Sequence, residues 1–371
     1  MKFSIPSSEL MRGLQAVIGA VPTKATLPIL ETVLFKSENG KLSLCATDLE
    51  VSILEFVEAD VAEEGAVAIP ARRLLETLRQ LPDIPVQFDI DDNQQIKFKT
   101  DQGTYKLAGE DAAEFPEVPE LNSGVSIKAK TEALQDVIKK TSFAVSSDDL
   151  RPAMMGVFFQ IGSEESRVVA TDGHRLVRLV RRDLVGSEAA EFITPEKALT
   201  LVNKALDDEE AEITVGSDHA RFESGKTVIV TRLINEQYPN YDSVIPKEND
   251  KELKINREQM LATVKRVSVF ASSSTKQMRL KMQPNEVHIS AEDIDMSSEA
   301  EEVISCEYDD EEMEIGFNAK YLADVLGNIE DPEVVFEFST PNRAGIVRPS
   351  IQDDDEDMLM LVMPVMLNTY A

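Results

Sequence analysis

The chain lacks most of the features that would mark an exported, membrane-bound or catalytic protein. Its 371 residues include only two cysteines, Cys45 and Cys306. Both sit in strand-like apolar surroundings far apart in the chain, so no disulfide is expected and a cytoplasmic location is. Met1-Lys2-Phe3-Ser4-Ile5-Pro6 has no signal-peptide core, and no apolar run approaches the ~18 residues of a spanning helix, so no membrane partner is expected. His174, His219 and His288, the three histidines, lack metal-ligand spacing, and no serine or cysteine carries a local activating signature. Catalytic residues, metal and cofactor are all expected to be none. Positive charge is scarce as well, with 38 Lys and Arg against 68 Asp and Glu and a net charge of −30. Spread evenly, that balance would argue against binding nucleic acid.

What is present is a repeat. Ala46-Thr47-Asp48, Ala170-Thr171-Asp172 and Ala291-Glu292-Asp293 recur at a spacing near 124 residues. Helix starts follow at Ile69, Ile193 and Phe317, and an apolar-Pro step closes each copy at Phe115-Pro116, Tyr238-Pro239 and Met363-Pro364. Hydrophobic content of 42% suits a soluble globular chain, and its length suits three domains with cores of their own. Polar stretches near 118–125 and 246–252 place the boundaries, giving domains 1–122, 123–248 and 249–371.

Each copy opens with a short strand and an amphipathic helix, in which Leu10, Leu134 and Met260 align. Hairpins follow at 32–46, 157–171 and 278–291. A second helix is predicted over 71–81, 195–206 and 318–329, and further strands close the copy. The unit is about eight strands and two helices, an α+β fold with antiparallel sheets covered on one face.

Charge is not evenly spread over these elements. The six helix segments 7–20, 71–81, 130–142, 195–206, 256–270 and 318–329 hold thirteen Lys and Arg against seven Asp and Glu, leaving the remainder at −36. Solvated helix faces favour Lys and Arg in any case. Segregation in all three copies nevertheless suits a basic helical surface on an acidic body, able to meet phosphates without reading sequence. The run Met358 to Leu367 is the most apolar stretch. As a strand with one wet face it would expose alternate side chains as a patch that accepts varied partners; buried on both faces, it would be ordinary core. Gly225-Lys226-Thr227 is read as a hairpin turn, since Ala220 stands where a nucleotide loop needs its first glycine. Asp353 to Asp357 reads as a solvated acidic loop. Asp172 beside His174 reads as a repeated structural turn, because Asp48 and Asp293 have no such histidine.

With the triplicated unit, Leu27-Pro28-Ile29-Leu30, Ala46-Thr47-Asp48-Leu49-Glu50, Ala170-Thr171-Asp172-Gly173-His174-Arg175-Leu176 and Val362-Met363-Pro364, the chain resembles the bacterial β sliding clamps from Met1 to about Leu367. These are processivity subunits of the replicative DNA polymerase. The resemblance implies three repeated clamp domains closing with a second copy into a head-to-tail dimeric ring. Helices would line a hole around duplex DNA and sheets would form the rim, with no chemistry of its own. The implied partners are duplex DNA without sequence preference, a second copy of the chain, and a set of proteins that dock through short linear peptides. That set comprises the replicative polymerase subunit, the clamp loader, translesion polymerases and repair factors.

By the same resemblance, duplex contacts fall on Lys24, Arg72, Arg73, Arg79, Arg151, Lys197 and Lys204. A peptide pocket falls on Met154, Thr171, Gly173, His174, Arg175, Leu176, Pro239, Val244, Val362, Met363, Pro364 and Val365. The joint between copies falls on Lys97, Lys99, Tyr105, Lys106 and Leu107 on one side and Val269, Phe270, Glu299, Glu301 and Glu302 on the other, opposite charges around an apolar centre. Ser243 and Met366 replace arginines of the enterobacterial clamp, Glu196 replaces a basic residue, and Asn368-Thr369-Tyr370-Ala371 extends the end. Two rival classes remain open on the residues alone: an acidic enzyme with its site between repeats, and a scaffold that binds only proteins.

Overall fold

A computed structural model describes residues 1–121 and 123–367; Asn122 and the Asn368–Ala371 extension lie outside the described residues. These fold into antiparallel strands and six α-helices: α1 (Ser7–Val17), α2 (Ala71–Leu78), α3 (Thr131–Ser142), α4 (Glu196–Ala205), α5 (Arg257–Val267) and α6 (Ala319–Gly327). None of the described helices is long and apolar enough to cross a membrane. Leu10, Leu134 and Met260, aligned by the repeat, are each fully buried.

The chain condenses into two units, residues 1–135, 186–188 and 197–233, and residues 136–185, 189–196 and 234–371. The first holds a five-stranded sheet ordered Asp60–Glu63, Lys2–Pro6, Pro85–Ile90, Gln95–Lys99, Thr104–Ala108. Its eight-stranded sheet runs Val125–Lys130, Glu210–Val215, His219–Ser224, Thr227–Arg232, Val51–Val57, Lys41–Thr47, Thr32–Glu38, Gly65–Pro70. Alternate residues Val86, Phe88 and Ile90 are buried, as a sheet with one covered face requires. Stacked rings run through this core, Phe3 on Phe88 at 4.6 Å and Phe88 on Phe98 at 5.3 Å between centroids.

The second unit repeats the plan. Its eight-stranded sheet runs Ala190–Pro195, Gly156–Ile161, Ser166–Thr171, Arg175–Arg181, Glu356–Val362, Gly345–Pro349, Glu333–Phe338, Lys251–Asn256. A four-stranded sheet follows in the order Ser298–Ser305, Glu286–Asp293, Gln277–Gln283, Met313–Asn318. The units do not follow the repeat boundaries, because strand pairing runs across them. The strand Val51–Val57 of the first copy pairs with Thr227–Arg232 of the second, and Arg175–Arg181 of the second pairs with Glu356–Val362 of the third. The second copy thus gives four strands to each large sheet.

One expectation is corrected and one open alternative is decided. Ile69, Ile193 and Phe317 lie in strands that end just before the helices, with Pro70, Pro195 and Asn318 at the junctions. The helices also stop short of the predicted ends, at Leu78, Ala205 and Gly327. An apolar strand running directly into a helix leaves no polar break for a periodicity argument to find. The alternative left open for the apolar run is decided at Met358–Val362, each residue of which is at most 2% exposed, so this strand is buried on both faces. Leu359 and Leu361 join a core cluster with Val169, Leu176 and Ile346, and the opposite face lies toward α6. Only Met363 and Met366 of the run are exposed, at 39% and 85%.

Ion networks cross each seam between copies. At the first, buried Glu55 accepts from Thr227 Oγ1 at 2.5 Å and lies 3.4 Å from Arg12 Nη1, which also serves Glu9. At the second, Arg181 binds Asp183 through two bonds and reaches Asp136 at 2.7 Å and Glu356 at 2.9 Å, and Lys140 bridges the same Asp136 and Glu356. Burial holds the Glu55 carboxyl above the ordinary carboxylate range, against the Thr227 hydrogen bond and Arg12. A raised acid value means that stability associated with Glu55 is fully present below its unfolded value and is lost as pH rises through the folded one. Glu55→Gln should therefore raise the melting temperature by a few degrees at about pH 8, with the gain shrinking toward about pH 4. Arg12 is not stranded by the change because Glu9 remains. Equal melting of both proteins across this range in scanning calorimetry would refute the assignment.

Candidate functional site

In the first two copies the Ala-x-Asp repeat is a side-chain-capped turn of one design, while in the third Asp293 Oδ1 accepts only from the Met296 amide. Asp48 Oδ1 accepts from the amides of Glu50 and Val51 at 3.0 and 2.7 Å, and Asp172 Oδ1 accepts from His174 and Arg175 at 2.8 and 2.9 Å. Thr47 and Thr171 each donate their hydroxyl to the carbonyl four residues on. The turn forces its third position left-handed, with φ of +79° at Leu49 and +86° at Gly173. Asp172 is thereby committed to the backbone and to Arg175 Nε at 3.2 Å, which leaves it a structural residue.

In the second copy the turn carries a surface found in neither of the others. His174 is exposed, and its ring stacks on Tyr321 of α6 at 5.7 Å with 11° between planes. Its carbonyl accepts from the amide of Met363 at 2.8 Å. Val365 then donates to the carbonyl of Gly316 at 2.8 Å, so the segment after the last strand is laid along the edge strand Met313–Asn318. A β-carbon at 316 would come within 2.6 Å of the Val365 carbonyl oxygen, so only glycine admits this approach. On the other side, Tyr238 stacks on Phe158 at 4.7 Å and Tyr241 donates to Gln160 Oε1 at 2.6 Å, fixing the loop that presents Pro239 and Val244.

Of the twelve pocket positions, Thr171, Arg175, Leu176 and Val362 are buried and form a frame. Met154, Pro239, Pro364 and Val365 are half-buried, while Gly173, His174, Val244 and Met363 are exposed. Arg175 has the most partners: besides Asp172 it binds Asp324 Oδ2 and the Phe143 carbonyl (2.6 Å), with the rings of Phe143 and Tyr321 5.3 and 5.1 Å from its guanidinium carbon. Tyr321, Asp324 and Phe143 were not picked out from the sequence. Tyr321 stands 124 residues after Lys197, so a comparison of the copies position by position would have found it.

The basic positions divide by partner. Lys24, Arg72, Arg73, Arg79 and Lys204 are exposed and have no carboxylate partner among the described residues. Arg151 pairs with Asp148 at 2.9 Å and Lys197 with Asp48. Several other helix cations are spent inside the chain: Lys139 on Glu330, Lys140 on Glu356 and Asp136, Arg266 on Glu302. Most of the unpaired positive charge of the helix segments thus lies in the first unit, around α2, while exposed Lys265 and Lys320 of the second unit also have no carboxylate partner among the described residues.

Two strands carry the expected joint residues at sheet edges. Thr104–Ala108 ends the five-stranded sheet and places Tyr105, Lys106 and Leu107 beside Lys97 and Lys99. Ser298–Ser305 ends the four-stranded sheet with Glu299, Glu301 and Glu302, near exposed Val269 and Phe270. Glu302 is held by Arg266 at 2.5 Å and Glu301 by His288 at 2.9 Å, so these two carboxylates already have internal partners. Hydrogen bonds donated to Glu301 and then Glu286 raise the His288 value above that of a free imidazole.

Among the described residues no group of three or more His, Cys, Asp and Glu is arranged to hold a metal ion. Burial pushes the Cys45 thiol up to about 12 and Cys306 up to about 11, away from nucleophilic use. Gly225-Lys226 turns a hairpin between Ser224 and Thr227, with Lys226 paired to Glu58. In the acidic segment Asp353, Asp354 and Asp355 are exposed, whereas Glu356 and Asp357 carry ion pairs. Gly173→Ala should lower stability by ~1–2 kcal/mol, since it forces a β-carbon into the left-handed region within 2.9 Å of Arg151 Nη1. Urea unfolding that superimposes on the parent would contradict the strain.

Three successive stretches match family profiles for the DNA polymerase III β subunit: its N-terminal domain over residues 1–119, central domain over 128–240 and C-terminal domain over 242–366. A β sliding clamp from Vibrio cholerae is 31% identical over 372 residues, covering 99% of this chain and all of that protein. A crystal structure of the DNA polymerase III β subunit from Pseudomonas aeruginosa superimposes with a TM-score of 0.94 at 31% identity, covering 99% of this chain and 100% of that one. Another P. aeruginosa sliding-clamp structure, bound to griselimycin, has a TM-score of 0.93 at 31% identity, again covering 99% and 100%.

Proposed function

Because the chain belongs to the DNA polymerase III β subunit family, the bacterial β sliding clamps, we propose that its two kinds of surface, basic helices and an apolar docking site, divide the work of a clamp. It is a sliding clamp for DNA polymerase processivity. In the finer reading two copies close head to tail around duplex DNA, the helices face the phosphates, and partner proteins dock on the rim. The clamp performs no chemistry of its own and works in the cytoplasm.

The observation that carries this reading is the seam rule. Twice, the strand that follows an Ala-x-Asp turn pairs with the last strand of the next copy. Ser298–Ser305 is the third such strand and Thr104–Ala108 is the remaining last strand, and both are open sheet edges. A second chain supplies the missing neighbour to each, making a heterologous joint that closes after two copies. Lys97, Lys99 and Lys106 meet a strand rich in glutamate, and Tyr105 and Leu107 meet Val269 and Phe270. The division into domains 1–122, 123–248 and 249–371 belongs to this reading, each domain being one repeat of the ring.

Affinity for DNA can be low because the link is topological. Lys24, Arg72, Arg73, Arg79 and Lys204 supply exposed, unpaired charge to the lining, with Arg151 and Lys197 contributing if they exchange internal carboxylates for phosphate. For docking, exposed His174, Val244 and Met363 around half-buried Met154, Pro239, Pro364 and Val365 suit two or three apolar side chains of a short peptide. The polymerase subunit, the clamp loader, translesion polymerases and repair factors would use it in turn. The griselimycin-bound relative supports a ligand site on this fold.

A clamp loaded on circular DNA should leave quickly once the circle is cut, and reversing charge at Arg72, Arg73 and Arg79 together should reduce loading or retention several-fold. Equal retention on closed and linear DNA would refute encirclement, and full activity of the triple variant would refute the basic lining. Removing residues 363–371 should abolish binding of partner peptides while sedimentation still reports a dimer. Unchanged peptide affinity in fluorescence polarisation would refute the docking assignment.

A further inference from the structure

Arg175 is the most heavily committed side chain at the proposed docking site, and its commitments are all to the protein itself. It is 7% exposed. Its Nε donates to Asp172 Oδ2 at 3.2 Å, Nη1 to Asp324 Oδ2, and Nη2 to the Phe143 carbonyl at 2.6 Å. Phe143 and Tyr321 both lie against the guanidinium. Two carboxylates neutralise the charge and two rings cover it, which leaves a docked apolar segment little to contact.

These bonds join three separate elements: the turn of the second copy, the residue just after α3, and α6 of the third copy. Tyr321 and Asp324, three residues apart on α6, grip the guanidinium together. Tyr321 also stacks on His174, whose carbonyl holds the Met363 amide at 2.8 Å. A continuous line of contacts therefore runs from Asp324 through Arg175 and Tyr321 to His174 and Met363.

The first seam lacks this device. At the same spacing, Val51 stands for Arg175, Glu50 for His174, Lys197 for Tyr321 and Gly19 for Phe143. There Lys197 pairs with Asp48, and a β-carbon on Gly19 would fall 2.5 Å from Leu201 Cδ2, so that seam closes by direct packing. The fold repeats at both seams, but the latch does not.

We propose that Arg175 is a positioning residue: it does not touch the docked segment, and through Asp324 and Tyr321 it holds His174 and Met363 in binding geometry, so that the pocket is formed only while α6 is seated on the turn. This rests on the reading of the His174–Met363 surface as the docking site. Coupling of this kind appears as non-additivity between substitutions along the line.

The test uses the full chain, with griselimycin as the probe in titration calorimetry and methyl-labelled methionine spectra reporting Met363 in the free protein. Arg175→Met and Asp324→Asn should each weaken binding by about tenfold and both should shift the Met363 methyl signal, while the double variant binds no worse than the weaker single. If Arg175→Met does not fold, Asp324→Asn carries the test alone, since the Asp324 side chain is 35% exposed and its loss leaves Asp172 on the arginine. Loss of affinity on Arg175→Met, with Asp324→Asn unchanged in both affinity and Met363 signal, would make the guanidinium a contact residue and overturn the proposal. Multiplying effects in the double variant would overturn it as well. Wild-type binding by both His174→Ala and Met363→Ala would mean that the probe sits elsewhere, and the docking reading would fall together with the latch.

Discussion

Backbone hydrogen bonding across the boundary between one copy and the next is the constraint from which the architecture follows. An antiparallel edge strand offers a row of unpaired amides and carbonyls, and leaving it open invites association. In this chain the strand after each Ala-x-Asp turn is such an edge. Two of the three are closed by the last strand of the following copy, through Thr227↔Glu55 to Thr231↔Val51 and through Arg181↔Glu356 to Arg175↔Val362. The rest is built on those seams. Buried Glu55 and the Arg181 network lie across them, and the His174–Met363 surface proposed for docking lies at the end of the second one, where Arg175 and Val362 are paired.

Electrostatics act at two scales. Across the whole chain a charge of −30 sets a repulsive background against other acidic surfaces. Locally the scarce cations fall into two groups. Those buried at seams or on glutamates, such as Arg181, Lys140 and Arg266, stabilise the fold and are unavailable to a ligand. Lys24, Arg72, Arg73, Arg79 and Lys204 have no carboxylate partner among the described residues, which is what the proposed contact with phosphates needs. A count of charges by helix cannot separate the two groups, because it does not see which carboxylate lies opposite.

That difference marks what the sequence could and could not disclose. The repeat, the hairpins at 32–46, 157–171 and 278–291, the capped turns and the number of helices were all legible, since each depends on local spacing or on turn chemistry. The unit boundaries were not, because pairing between Val51–Val57 and Thr227–Arg232 joins residues about 180 positions apart. Met358–Val362 resisted for a related reason: an apolar run does not say whether both of its faces are covered. At the site, His174 and Met363 stood out as departures from the repeat. Tyr321 and Asp324 sit in an ordinary amphipathic helix and become meaningful only when Arg175 reaches them from a distant strand. Glu302 shows the converse, a residue with a credible external role whose first partner, Arg266, lies in its own chain.

The two seams also differ in length, and this bears on how the molecule carries load. Seven residue pairs hold the strand Arg175–Arg181 to its neighbour, whereas five hold Val51–Val57 to Thr227–Arg232. The longer seam carries the Arg181 network as well, while the shorter one has the buried Glu55 at its edge. A tension drawn across the sheets would therefore meet two joints of different make-up. The first seam is lengthened only by single bonds from the Phe56 amide to the Lys226 carbonyl and from the Arg232 amide to the Glu50 carbonyl, whereas the second, beneath His174 and Met363, has both the longer ladder and the wider ion network.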